Sequence, residues 1–277
     1  NFVRVTFTGD DFDPFGTDGL DQRLKIVFPI DGHGISDIGA DDEQTIADGS
    51  WYARWRALPD ERRNPFRTYT VRAIRPGERE LDVDMVSHGD GDINSSGPAS
   101  RWLNRATVGD EVVIVGPDAG SIDSAIGIDW HPGAATQLLL AGDETAAPAI
   151  CAVLESLPHG RRAQAFIEVP DAADRLPIDL PNGCSVTWLH RGDNPVGTNL
   201  DPAVRGWVAD KTEDVDTGER SRQRGESCLV RPVADADEER AQRASRRLRR
   251  PIPTSARSST RSGRHGLRPW PTSALTV

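Results

Sequence analysis

Gln137-Leu-Leu-Leu-Ala-Gly-Asp-Glu-Thr-Ala-Ala-Pro-Ala-Ile150 decides how the second half of this chain is built. Leu138 to Ala141 form an unbroken apolar run, the pattern of a strand buried on both faces. Beyond Gly142-Asp-Glu-Thr145, the residues Ile150, Val153, Leu154 and Leu157 recur at helical spacing. Ala165-Phe-Ile-Glu-Val169 and Val186-Thr-Trp-Leu-His190 are further β-prone runs. Strand, helix and strand at this spacing predict a parallel α/β sheet.

Toward the N-terminus the pattern is different. Phe2–Thr8, Arg23–Phe28, Thr68–Ile74, Leu81–Val86 and Glu111–Val115 are short β-prone runs, separated by Gly, Pro and Asp. Several alternate apolar with polar residues, as strands with one buried face do. Strands without intervening helices predict a closed antiparallel barrel, which hides its edges. The Asp/Gly-rich stretch from Gly32 to Gly49 reads as a loop. The expected class is therefore α+β with two domains, a β-barrel over 1–130 and an α/β domain over 131–216, divided near Asp129–Gly133.

Residues 217–277 form a tail of another character. They hold 14 Arg, no Lys and 6 acids, a balance of +8, which leaves residues 1–216 at -18 within the total of -10. Rich in Arg, Ser, Pro and Gly, the tail lacks the apolar periodicity that repays ordering, so most of it is expected to be disordered, apart from a short Arg-rich helix around Glu238–Arg250. An acidic body argues against general nucleic-acid binding, because phosphates would be repelled. Cys151, Cys184 and Cys228 are too far apart for a thiolate metal site, which suits a reducing cytosol. Neither a membrane span nor metal-ligand spacing among His33, His131, His159, His190 and His265 is legible. The chain opens on Asn1 inside a strand pattern, so further sequence is expected ahead of it.

Three motifs carry possible chemistry. In Arg67-Thr-Tyr-Thr-Val-Arg72, alternation puts Arg67, Tyr69 and Val71 on one strand face and Thr68, Thr70 and Arg72 on the other. Tyr69 could pack on a flavin ring while Arg67 pairs with a phosphate and Thr70 bonds near the reactive flavin nitrogen. An ordinary strand with solvated arginines has the same pattern. Gly97-Pro-Ala-Ser-Arg-Trp-Leu103 reads as a helix start whose free N–H groups, with the Ser100 hydroxyl, suit an anion or simply cap the helix. Gly142–Ala149 lies where a strand feeds a helix, the usual ligand crevice of an open α/β sheet, but has neither G-x-G-x-x-G nor a P-loop. Asp13, Asp143, Glu144 and Glu168 make no acid/base pair, so hydrolase chemistry has no support.

Taken in order, these motifs resemble those of the siderophore-interacting protein family, a branch of the ferredoxin–NADP reductase superfamily. Asp21–Pro29, Arg67–Arg72, Asp84–Gly89, Gly97–Trp102, Gly142–Ile150 and Val186–Arg191 carry the resemblance, which covers roughly the first 216 residues. It implies a non-covalent FAD held by Arg67, Tyr69, Thr70, Arg72, His88, Gly97, Ala99, Ser100 and Thr145, with Tyr69 and Thr70 closest to the chemistry. It further implies a ferric siderophore as substrate, with Lys25 and Arg72 as its basic contacts. NADPH or a reduced ferredoxin would be the electron donor, with Arg191 taking the NADPH 2′-phosphate.

The implied function is an FAD-dependent ferric-siderophore reductase of the cytoplasm. A related flavin reductase with another acceptor, or an inactive flavin- or siderophore-binding protein, fits the same residues. Past Asp216 the family's closing segments have no counterpart. Trp207-Val-Ala-Asp210 only superficially matches its last strand, and an out-of-frame tail is the simplest expectation.

Overall fold

The computed structural model describes residues 2–16, 19–87, 97–120, 124–216 and 272–276. An antiparallel sheet comes first. It is built from β1 (Phe2–Thr8), β2 (Arg23–Val27), β3 (Phe66–Thr70), β4 (Ala73–Arg75), β5 (Glu80–Val86) and β6 (Glu111–Val115), joined by a C-terminal strand β10 (Thr272–Thr276). The strand order is β3-β2-β6-β10-β1-β5-β4. β1 runs against β5 from Phe2 opposite Val86 to Thr8 opposite Glu80.

That register separates two faces. Phe7, Leu24, Ile26, Leu81, Val83, Met85, Trp102 and Ile114 gather on one side as a buried core. Arg4, Thr6, Asp82 and Asp84 lie on the other, where Arg4 grips the Asp84 carboxylate at 2.8 and 2.9 Å and the Thr6 hydroxyl donates to Asp82. A second core of Val27, Ile38, Trp51, Val113 and Val115 covers the outer face of β2 and β6.

The closed barrel expected from the strand pattern is not what the pairing gives. No ladder joins the edge strands β3 and β4 among the described residues. The two edges are instead consecutive in the chain. The Val71 N–H donates to the Gln22 carbonyl beside β2, and the Arg72 N–H donates to Asp82 on β5, both at 2.9 Å. One run of sequence changes partner within two residues, a switch that a β-prone pattern does not announce.

A further expectation is corrected. The stretch read as a loop contains a helix, α1 (Glu43–Asp48), followed at once by α2 (Trp51–Ala57). Asp42 caps α1 by accepting the Thr45 N–H at 2.7 Å, and Gly49 ends it with a φ of 61°. Within the tail, Glu238–Arg250 lies outside the described residues, while β10 pairs with β6 from Thr272 opposite Val115 to Thr276 opposite Glu111. It lies between β1 and β6, whose facing backbone groups would otherwise lack that partner.

The parallel α/β unit is as expected. β7 (Gln137–Gly142), β8 (Arg162–Val169) and β9 (Cys184–His190) form a parallel sheet in the order β7-β8-β9. Helix α4 (Ala147–Glu155) buries Ile150, Val153 and Leu154 completely against it. Each such side chain contributes about 2 kcal/mol of transfer free energy. Helix α5 (Leu200–Asp216) includes Trp207-Val-Ala-Asp210, which is helical and not the family's strand. Its start is fixed by the fully buried Glu168 at the end of β8, whose carboxylate accepts the Gly197, Asn199 and Leu200 N–H groups.

The connection between the two sheets is tied to the first. Asp21 accepts the Asp129 and Trp130 N–H groups, and the Gln22 side chain donates to the Ser124 carbonyl. Arg23 pairs with Asp129 at 3.1 Å. Burial holds the Asp21 carboxyl above its usual range.

Candidate functional site

The chemistry-bearing surface starts at β3. Its register with β2 puts Arg67 opposite Ile26 and Tyr69 opposite Leu24, both of which belong to the buried core. Tyr69 packs half-buried on that core while Arg67 stays exposed at the same face. Burial raises the Tyr69 phenol above its ordinary range and the Arg67 charge opposes the shift, so the hydroxyl is held neutral. The described hydrogen bond of Arg67 goes to the Phe66 carbonyl at 2.7 Å.

Helix α3 (Pro98–Leu103) packs beside β3. Pro98 at its first turn fixes the start, and among the described residues no side chain caps the Gly97 end. Ser100 is buried, Ala99 packs on the core, and Trp102 stacks between Phe7 and Phe28. A half-buried aromatic ring, an adjacent guanidinium and an uncapped helix start fit the ring, phosphate and polar needs of FAD. His88 lies outside the described residues.

Thr70, Thr68 and Lys25 lie on the opposite face, since Lys25 pairs with Thr68 and Arg23 with Thr70. Lys25 donates to the Thr68 hydroxyl at 3.2 Å and sits 5.3 Å from the Phe66 ring centre. It therefore lies across the sheet from Tyr69, on the face that Thr70 shares. There it borders an aromatic group of Trp51, Tyr52, Trp55 and Phe66 contributed largely by α2.

The role expected of Arg72 is corrected. Its guanidinium is bonded to Glu155 of α4 at 2.6 and 2.8 Å, and its Nε lies 3.4 Å from Asp84 in an electrostatic contact without a hydrogen bond. With both carboxylates engaged and the side chain only 12% exposed, Arg72 clamps the antiparallel sheet to α4 instead of offering its charge to a ligand. The small cavity beside it, about 160 Å³, is lined by Leu20, Val71, Ile74, Ala152, Glu155 and Ser156. That volume is below the 300 Å³ or so of ordinary cofactor sites.

At the carboxyl ends of the parallel strands, Gly142 must be glycine, because a Cβ there would meet the Ala146 Cβ at 2.5 Å. The loop it begins leaves Thr145 exposed, with its hydroxyl donating to Asp143 at 2.6 Å. Arg191, just past β9, reaches back to Glu144 in that loop with bonds of 2.6 and 2.5 Å. Both side chains are nearly buried, at 9% and 8% exposure, so Arg191 does not present an open charge to a phosphate. Glu144 and Glu155, the partners that redefine Arg191 and Arg72, were not singled out as site residues by sequence. Their placement inside or just after the Gly142–Ile150 motif was the available signal.

Cys151 sits in the α4 core, where burial pushes its thiol up to about 12 and keeps it neutral. No group of three potential metal ligands occurs among the described residues.

Comparison with known proteins follows this geometry. The siderophore-interacting FAD-binding domain matches residues 1–121, and the siderophore-interacting protein domain matches residues 135–244, extending past Asp216. The ferric vibriobactin reductase of Vibrio cholerae is 33% identical over 205 residues, 74% of this chain and 66% of that protein, so the chain spans just under two thirds of that relative. A siderophore utilization protein from T. fusca superposes with a TM-score of 0.57 at 26% identity, covering 91% of this chain and 82% of that one. The siderophore-interacting protein of Aeromonas hydrophila gives 0.51 at 25% identity, covering 83% and 77%. An antiparallel sheet bearing the Arg67–Tyr69 face, then a parallel sheet, thus follow the family's domain order, and the chain belongs to the siderophore-interacting protein family.

Proposed function

We propose that this chain is an FAD-dependent ferric-siderophore reductase that releases iron by reducing Fe(III) to Fe(II). The observation that carries the reading is the Arg67–Tyr69 face of β3 beside the uncapped start of α3, within a chain of this family. FAD, when bound, accepts two electrons together and passes them on singly, as a ferric centre requires. Tyr69 would stack on the ring system, Arg67 would pair with a phosphate, and Gly97, Ala99 and Ser100 would supply N–H and hydroxyl donors. Thr70 and Thr145 remain in the proposal as polar neighbours of the flavin, one from each sheet.

The electron donor is a nicotinamide nucleotide or a reduced ferredoxin, and the acceptor is a ferric siderophore. Each Fe(III) takes one electron, so one two-electron reduction releases two Fe(II), whose lower charge loosens the grip of hard oxygen ligands. The antiparallel sheet would carry the flavin, with the chain passing from one edge strand to the other at Val71–Arg72. We place the reaction in the cytoplasm, as the dispersed cysteines suggest. Among the described residues no helix is long and apolar enough to cross a membrane.

The test is anaerobic. Purified protein should carry or take up FAD, and after chemical reduction its flavin should reoxidise on addition of a ferric siderophore, with Fe(II) trapped by a chromogenic chelator. A protein that takes up no FAD, or whose reduced flavin is untouched by any ferric siderophore, refutes the reading.

A further inference from the structure

We propose that Glu144 sets the nucleotide preference of this chain, by holding Arg191 in an internal ion pair and so favouring a dinucleotide without a 2′-phosphate. The inference deepens the reductase reading and rests on its nucleotide site. Three strand ends define the place. Asp143 and Glu144 follow β7, Glu168 lies near the end of β8, and Arg191 follows β9. In open α/β sheets this carboxyl edge is where nucleotides bind.

What separates the two dinucleotides there is one dianionic group. A free arginine accommodates a 2′-phosphate, whereas a carboxylate accepts hydrogen bonds from ribose hydroxyls. Arg191 alone suggests the former, and its surroundings reverse that reading. Its two terminal nitrogens are bonded to the two Glu144 oxygens in a side-by-side pair, the geometry in which guanidinium and carboxylate match best. Both side chains are nearly buried, so the pair is weakly screened.

Glu168 and Asp143 add their negative charge to that of Glu144 at the Arg191 guanidinium. A 2′-phosphate entering here would have to displace Glu144 from Arg191 and leave a nearly buried carboxylate without its cation. A ribose diol, being uncharged, meets no such cost.

The experiment reads binding and needs no flavin turnover. The protein, its Glu144→Gln variant and the Glu144→Gln, Arg191→Leu double variant are titrated calorimetrically with 5′-AMP and with adenosine 2′,5′-bisphosphate, after circular dichroism has confirmed folding. The wild type should bind 5′-AMP at least as tightly as the bisphosphate. Glu144→Gln, which keeps the shape but removes the charge, should raise bisphosphate affinity about tenfold relative to 5′-AMP, the scale of one charge-assisted contact. The double variant should lose that gain.

A wild type that favours the bisphosphate, or a Glu144→Gln variant with an unchanged ratio, overturns the inference and leaves the reductase reading standing. Failure of both nucleotides to bind at millimolar concentration removes the nucleotide site itself, and the inference with it. In that case iron reduction by the chemically reduced flavin still tests the reductase reading separately.

Discussion

Arg72 and Glu155 offer a direct measure of what fastens the antiparallel sheet to the parallel α/β unit. The perturbation is a double-mutant cycle of Arg72→Met and Glu155→Gln. Two unit charges about 4 Å apart attract by about 4 kcal/mol at the effective dielectric of a protein surface. Arg72 is 12% and Glu155 24% exposed, so both have lost most of their water and part of that attraction is offset. A coupling energy of about 2 kcal/mol is therefore expected.

Arg72→Met alone should cost more, about 3 kcal/mol, because it strips Glu155 of its cation. The loss is bounded, since Asp84 keeps its two bonds from Arg4 and Glu155 still accepts the Asp179 N–H. Urea denaturation of the full chain, followed by tryptophan fluorescence and circular dichroism, supplies the four free energies of the cycle. A coupling under about 0.5 kcal/mol would place the pair among ordinary exposed ion pairs and refute the clamp. Disappearance of the coupling in about 0.5 M salt would do the same, because a partly buried pair resists screening.

Two other expectations concern the flavin face and the acid limb of stability. Tyr69→Ala should weaken FAD binding by about 1–3 kcal/mol, the scale of aromatic stacking, while Tyr69→Phe should leave it nearly intact; flavin fluorescence titration separates the two. The hydrogen bonds from Arg75 hold the Asp82 carboxyl below its usual range. Its folded value is depressed, so the stabilisation is full above about pH 4 and is lost as pH falls below that. Asp82→Asn should flatten the fall of melting temperature on acidification without steepening it near neutrality.

Much of the architecture is legible where local pattern and tertiary environment agree. Leu138–Ala141 are apolar without interruption because β7 is covered on both faces, and the spacing of Ile150, Val153 and Leu154 maps directly onto the buried side of α4. Arg67, Tyr69 and Val71 share a face because strand alternation is a two-residue rule that register does not alter. What the sequence hides are decisions made by distant partners. Arg72 meets Glu155 across 83 positions and Arg191 meets Glu144 across 47, so neither arginine's role can be read from its neighbours. The short helix α1 is hidden for another reason. Asp42 and Gly49 bracket it properly, but its six residues are too few to carry an apolar period and only Thr45 is buried. Strand β10 is legible only through its pairing, since nothing in Thr272–Thr276 names β6 as a partner.

The same distinction decides which cations can serve an anionic ligand on so acidic a body. Arg4, Arg72, Arg75, Arg79 and Arg191 are each bonded to carboxylates, and every such pair removes one positive charge from the inventory available to a phosphate or an anionic chelate. Arg67 differs in kind. Its described partner is the Phe66 carbonyl, which leaves the guanidinium charge uncompensated, and it is exposed on the face where Tyr69 presents its ring. Position alone could not rank Arg67 above Arg72, since both lie in the same six-residue motif. The ranking comes from what each guanidinium touches. On that ground Arg67 is the better candidate for the proposed phosphate contact, and Arg72 fastens the antiparallel sheet to α4.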